Sequence, residues 1–388
     1  MRWILFILIS LIVLPIAPAQ AGDAEIKMLQ TVMAPGPVDV SLFNGEFLKA
    51  VPPDKIQAGI VPLKQKIGPV VAVEPRGGTS YAIETAEWEI LADIVLDANS
   101  KIAGLVFHEP VAKNAKIDDL LKVLGTVAPQ MAYVVTKDGQ PLYSSNPDQA
   151  LAVGSAFKLG VLKALRDEID AGTRKWADVA TLDAKDLSLP SGVLQSWPVG
   201  SPFTLHTLAG EMISISDNTA ADTLLNTLGR DKVEAALGIA PVLTTRELFT
   251  LKASPDLKAK YVAADIAGKR AVLADVDTLP LPDVSKVLTR HDEGVEYYLS
   301  PATLCRLIGE VGDLDVMQIN PGVAQKADWA SVAFKGGSEV GVLSLTTLAK
   351  AKSGATYCVS VIWNGPAALD EGKSESAYAG VLTKLARG

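Results

Sequence analysis

The sequence predicts an α+β protein in which residues 115–388 form a mainly antiparallel sheet with an inserted all-helical lobe, preceded by a small α+β unit over 22–114. Three observations carry this prediction. Strand-like stretches lie on both sides of a long helical block, before Ser155 and after Ala330, and the simplest way to bury both sets is one shared sheet. Polar residues between Lys113 and Ile117 separate that pattern from a different one upstream. A chain of 388 residues with 48% hydrophobic and 21% charged residues is long enough for two domains, each with its own core.

Taken in order, residues 1–21 come first. Arg2 precedes an apolar run from Trp3 to Leu14, Pro15 ends it, and Ala19-Gln20-Ala21 offers a small-x-small cleavage pattern. This reads as a secretory signal peptide cut after Ala21. The run is too short for the roughly 20 residues that span a bilayer, so no stable membrane anchor is expected after cleavage. The expected location is the periplasm or the exterior. In the small unit, Val38 to Ala50 suits a helix and Asp54 to Ile67 a second, distorted at Pro62. Strands follow over 70–74, 80–85, 87–96 and 101–108, punctuated by Arg76-Gly77-Gly78 and Asp97-Ala98-Asn99-Ser100. Glu84, Glu87 and Asp93 read as solvated strand-face charges. This order of elements resembles ketosteroid isomerase or NTF2-like folds, which implies an accessory or substrate-restricting domain.

Beyond the boundary, Asp118 to Thr126 is helical, and 131–136 and 141–145 pair around Lys137-Asp138-Gly139-Gln140. Phe157, Val161 and Leu165 recur every four residues in a helix that starts at Ser155 and stops near Gly172. After a Pro-, Gly- and Trp-rich loop over 189–202, Thr204 caps a helix toward Ile215, and another runs from Thr219 to Leu228. Residues 230–310 are mostly helical. The end returns to strands at 331–335, 341–348 and 355–363 and closes with a helix over 374–386.

Charge narrows the function classes. The formal net charge is −8, and losing Arg2, the one charge in residues 1–21, takes it to −9. An acidic chain without basic blocks is a poor nucleic-acid binder. Three histidines and two cysteines offer no metal-ligand spacing, and neither a metal nor an organic cofactor is expected. Cys305 lies in a helical pattern and Cys358 in a strand pattern. They could pair in an oxidising compartment, but the expectation from their separation is two free buried thiols.

Three motifs carry chemistry. In Ser155-Ala156-Phe157-Lys158 the spacing puts a hydroxyl and an amine on one helix face, where a lysine with a depressed pKa can serve as base for a serine nucleophile. Ser216-Asp217-Asn218 follows 61 residues later, and Lys335-Gly336-Gly337-Ser338 lies 119 residues beyond that. By itself the second motif reads as a helix cap and the third as a strand and turn. Together, in this order, the three resemble the serine β-lactamase and penicillin-binding protein family, in its class A-like branch.

The resemblance implies an exported serine hydrolase that forms an acyl-enzyme on Ser155. Lys158 would be the base, Ser216 a proton relay, and Lys335 a source of positive potential for a substrate carboxylate. The backbone N–H groups of Ser155 and Ser338 would form an oxyanion hole, and Asn218, Gly336, Gly337 and Ser338 would contact substrate. Implied substrates are β-lactam amides or carboxylate esters. Alternatives are a D-alanyl-D-alanine peptidase on peptidoglycan peptides, or a slow-turnover or non-catalytic β-lactam or cell-wall sensor. Two departures stand out. Gly336 replaces the Thr or Ser usual after the lysine, and no Glu-x-x-Leu-Asn offers a deacylating base. Glu247 is the candidate for that role; its alternative reading is a surface ion pair with Arg246 or Lys252. The leading domain and the stretch Phe334 to Leu345 also resemble the β-lactamase-like cephalosporin esterase of clavulanate biosynthesis.

Overall fold

The computed structural model describes residues 22–287 and 293–387, so the signal-peptide expectation lies outside the described residues. The chain divides into two compact units, one of residues up to 124 with 325–327 and 372–388, the other of 125–324 with 328–371. The C-terminal helix, expected with the second domain, thus clusters with the first unit.

The first unit begins with a helix that the sequence reading missed, α1 (Asp23–Val32), with Asp23 and Glu25 in its first turn and Leu29 and Val32 fully buried. The expected helix over 38–50 is shorter, α2 (Gly45–Ala50), because Asn44 accepts from the Phe47 N–H and caps it there. α3 (Pro53–Ile67) runs on through Pro62. Four antiparallel strands follow in sheet order, β1 (Val70–Gly77), β2 (Ser80–Thr85), β3 (Trp88–Leu96) and β4 (Ile102–Phe107), with β5 (Val111–Ala112) added beside the start of β3. One core of Leu29, Phe43, Phe47, Ile60, Tyr81, Ile83, Ile90 and Ile94 joins helices to sheet. Two of the three acids read as solvated are partnered. Glu84 is bonded by Lys113 at 2.8 Å, and Asp93 holds Ser80 on one oxygen and His108, at 2.8 Å, on the other. The last helix of this part is α4 (Ile117–Leu124).

In the second unit the shared sheet is present. β6 (Gln130–Lys137) and β7 (Gln140–Ser145) come from the beginning of the unit, and β12 (Trp329–Glu339), β13 (Val342–Ala351) and β14 (Thr356–Asn364) from its end; the order is β12-β13-β14-β6-β7, all antiparallel. Between them lies β8 (Leu151–Ala152), then α5 (Lys158–Asp170), a small ribbon of β9 (Val179–Thr181) and β10 (Pro202–Thr204), and helices α6 (Leu205–Ser214), α7 (Asn218–Leu228), α8 (Arg230–Leu237), α9 (Thr245–Ala253), α10 (Pro255–Ala263) and α11 (Ile266–Val276). β11 (Tyr298–Leu299) pairs with β8, and α12 (Pro301–Val311) leads back to the sheet. α13 (Glu371–Arg387) ends the chain.

α5 is the axis of the lobe, with Leu159, Val161, Leu162 and Leu165 wholly buried in a core shared with α6, α7, α8 and α12. Burying each such side chain stabilises by about 1.5–3 kcal/mol. The two cysteines correct the expectation of free thiols. α12 crosses the sheet so that Cys305 and Cys358 approach to 5.9 Å between Cα atoms and form a disulfide, a proximity that sequence separation cannot reveal. Among the described residues, no helix is long and apolar enough to cross a membrane.

Candidate active site

The site is built where α5, the α6–α7 junction and β12 converge. Ser155 lies in a one-turn 3-10 segment, Gly154–Phe157, that runs directly into α5, and Lys158 is the first residue of that helix. One turn of helix therefore sets the pair side by side, with Lys158 Nζ 3.2 Å from Ser155 Oγ. β12 passes against the same turn. A Cβ placed on Gly337 would stand 2.2 Å from the Val153 carbonyl and 2.5 Å from the Ser155 nitrogen, so the strand comes this close only because residue 337 has no side chain. The next residue, Ser338, is thereby brought alongside Ser155, its nitrogen 3.3 Å from where a Cβ on Gly154 would be.

The third wall is the break between α6 and α7. Ser216 adopts φ +59°, a left-handed conformation uncommon outside glycine and costing about 1–2 kcal/mol. In that conformation its carbonyl and its hydroxyl turn the same way: Lys158 Nζ lies 2.5 Å from Ser216 O and 3.1 Å from Ser216 Oγ. Lys335 on β12 reaches the same hydroxyl at 3.0 Å and donates to the Gly336 carbonyl at 2.6 Å. Ser216 Oγ is thus a bridge between the two lysines. Asp217 caps α7 through the Ala220 N–H at 2.8 Å, and its other oxygen accepts from Val193 at 2.6 Å and Leu194 at 2.9 Å, which binds the 189–202 loop to the site. Gly192, at φ +102°, lies so close to the Asp217 carboxyl that a side chain there is excluded.

Asn218, expected to contact substrate, also has a role inside the protein. It is 4% exposed, its Oδ1 accepts from Lys158 at 2.6 Å, and its Nδ2 donates to the Leu189 carbonyl at 2.9 Å. Each end of the amide has a partner inside the protein, and through its oxygen Asn218 holds the lysine. Gly336, Gly337 and Ser338 line the strand facing the serine, with Ser338 exposed and Gly337 buried. A Cβ on Gly336 would meet the tip of the Phe334 ring at 2.9 Å; the ring, two residues back on the same face, occupies space that a larger residue would need.

Electrostatics follow from burial. Lys158 is fully buried, and desolvation, then the charge of Lys335, push its pKa well below the usual lysine value against the pull of Asp222 and Asp217. Burial also pushes Lys335 down, to about 7. Lys158 has four acceptors around one nitrogen. An ammonium has three protons for them, and a neutral amine has two protons and a lone pair. In the neutral state one of the two hydroxyls, Ser155 or Ser216, must donate to that lone pair, which is the arrangement a general base requires.

Two acids complete the surroundings, one of them missed at the sequence level. Asp222, one turn beyond Asn218, is fully buried and accepts from the Thr245 N–H at 2.7 Å, the Thr245 hydroxyl and the Arg246 N–H, each at 2.9 Å; burial raises it to about 7 against these donors. Its only sequence signal was a charged residue within an apolar helix. Glu247 is not the surface charge expected. It is 1% exposed, completes a capping box with Thr244, and forms a two-pronged ion pair with Arg230 at 2.6 and 3.0 Å; neither Arg246 nor Lys252 is its partner. Arg246 instead donates to the carbonyls of Leu187 and Leu279. Among the described residues, no group of acids, histidines or cysteines is arranged to hold a metal ion.

Comparison with known proteins gives a sequence match over part of the chain and a likeness of fold. The sequence model of the β-lactamase enzyme family matches residues 113–272. No curated protein matches the chain. Solved structures that resemble it include a β-lactamase from Sphaerobacter thermophilus DSM 20745, at 19% identity over 70% of this chain and 95% of that one with a TM-score of 0.48. PBP-A is similar at 17% identity, 69% and 96% coverage and a TM-score of 0.48. An ancestral class A β-lactamase (GNCA) matches at 16% identity, 70% and 99% coverage and a TM-score of 0.50, an agreement of fold. With three motifs gathered around one buried lysine, the larger unit of this chain has a β-lactamase-like fold.

Proposed function

We propose that this protein is an exported serine acyl-hydrolase that acylates Ser155 with β-lactam amides or carboxylate esters. The observation that carries the reading is the buried Lys158, held on four acceptors that include the Ser155 and Ser216 hydroxyls. Ser155 Oγ attacks the substrate carbonyl and its proton passes to Lys158. The carbonyl oxygen becomes negative and takes up hydrogen bonds from the Ser155 and Ser338 N–H groups, one such donor being worth about 2.7–4 kcal/mol of barrier. Ser216 passes a proton to the leaving nitrogen or oxygen as the tetrahedral intermediate collapses. Lys335 supplies positive potential for a substrate carboxylate. Hydrolysis of the acyl-enzyme then frees Ser155. The Cys305–Cys358 disulfide supports the export reading, since such bonds persist in oxidising compartments.

Release is the slow step in this reading. The carboxylates of Asp217, Asp222 and Glu247 are each committed to backbone donors or to Arg230. That favours a long-lived acyl-enzyme, as expected for a penicillin-binding or sensing role, over rapid β-lactam turnover. Intact-protein mass measurement after mixing with a penicillin and with a chromogenic cephalosporin tests both parts. A persistent adduct in the parent and none in Ser155→Ala is expected. Full hydrolysis by Ser155→Ala would sink the assignment, and multiple rapid turnovers would sink the slow-release part.

A further inference from the structure

A second buried cluster lies outside the acylation machinery. Lys252, in the last turn of α9, has a side chain 2% exposed and is paired with two acids from different segments, Glu296 at 2.6 Å and Glu339. Glu296 is wholly buried and Glu339 nearly so, at 14%. Burying three ionisable groups costs stability that well-packed apolar side chains would not, so their presence calls for a reason beyond folding.

The neighbours of the two acids supply that reason. Glu339 is the last residue of β12 and directly follows Ser338, the exposed residue whose nitrogen lies beside Gly154 of the nucleophile turn. Glu296 directly precedes Tyr297. The Tyr297 carbonyl accepts from the Val153 N–H at 2.9 Å, its hydroxyl donates to Leu243 O at 3.1 Å, and its ring stacks on Phe157 at 3.7 Å between centroids and 7° between planes. Val153 and Phe157 bracket Ser155. One arm of the cluster therefore ends on the turn that carries Ser155, and the other on the strand that carries Ser338.

We propose that Lys252 is a positioning residue that sets the spacing of the Ser155 and Ser338 N–H groups by clamping Glu339 on one side and Glu296 on the other. The proposal rests on the acyl-transfer reading of those two donors. The protonation of the cluster suits a clamp. Burial pushes Lys252 down, but the two acids outweigh it and hold it above the usual lysine range, while burial and the adjacent Glu339 push Glu296 up to about 9. Near neutral pH Lys252 is thus held as the ammonium and Glu296 as the protonated acid, so the two donate to and accept from their neighbours in fixed roles.

Removing the Lys252–Glu339 pair as a unit allows a test separating positioning from stability. In the full chain, Lys252→Met with Glu339→Gln removes both charges while keeping side-chain length. Melting temperature should stay near the parent's. The first-order acylation constant for a chromogenic cephalosporin should fall at least about tenfold, with little change in its non-covalent affinity, because a displaced oxyanion donor costs roughly 10²–10³. Hydrogen exchange over 151–157 and 334–341 should quicken, with α12 as an unchanged control. Exchange is also run in the Ser155→Ala background, so it reports on the clamp even if the parent proves unable to acylate, an outcome that would refute the acyl-transfer reading alone. Parent-like exchange in both segments, or acylation within about twofold of the parent, overturns the clamp. If the double variant does not fold, Lys252→Arg decides by the same two readouts, since its planar fork cannot seat on the acids as an ammonium does; unchanged values again overturn the proposal.

Discussion

Replacing Gly337 by alanine tests the central geometry with one carbon atom. The added Cβ would lie 2.2 Å from the Val153 carbonyl oxygen, 2.5 Å from the Ser155 nitrogen and 2.8 Å from the Ala156 nitrogen. All three are backbone atoms of the turn that presents the nucleophile, so none can swing aside as a side-chain tip would. Relief requires β12 to withdraw by about 1 Å, and the Ser338 N–H withdraws with it. A misplacement of that size costs about 10²-fold in rate, or about 3 kcal/mol of barrier. The companion is Gly336→Ala, whose Cβ would meet the Phe334 ring tip at 2.9 Å and the Ser344 carbonyl at 3.2 Å. The ring can yield, and a loss below about tenfold is expected because the oxyanion donors stay in place. Stopped-flow acylation by a chromogenic cephalosporin, with melting curves alongside, measures both. If Gly337→Ala acylates within about threefold of the parent, the strand does not position the second donor and the reasoning fails.

Two further outcomes follow from the charges. Lys335 loses its proton near pH 7, so its pull on a substrate carboxylate weakens as pH rises through that value; KM for a carboxylate-bearing substrate should climb over this range while that of its uncharged ester analogue stays level, and parallel profiles would exclude Lys335 from carboxylate binding. Glu247→Gln leaves the Arg230 guanidinium short of its carboxylate partner and should cost about 3 kcal/mol in urea unfolding, with the decay of the acyl adduct unchanged; an adduct that becomes permanent at parental stability would make Glu247 the deacylating base.

What could be read in the sequence was local order joined to motif spacing. The helix that starts at Ser155, the Thr204 cap and the strands at both ends of the second unit are periodic or capped, and their predicted places agree with the fold. The Lys158–Ser155 proximity follows from one helical turn. What could not be read depends on contacts between distant segments. Nothing near Glu247 in sequence names Arg230 as its partner, and neighbouring Arg246 turns instead to two carbonyls. Asn218 was expected to contact substrate, and nothing beside it in sequence shows that its amide also links Lys158 to the Leu189 carbonyl. Cys305 and Cys358 meet only because α12 crosses β14. Asp222 was overlooked because its three donors come from the start of α9, more than twenty residues on.

Ser216 stands in a backbone conformation that glycine or asparagine would adopt with less strain. A library selected for thermal tolerance alone should therefore drift away from serine at this position, gaining stability as the link between the two lysines is cut. Selection for acylation should hold it in place. The residue thus marks where stability and chemistry make opposite demands on one peptide unit, and a stabilised scaffold built from this domain is the setting in which to look for that exchange.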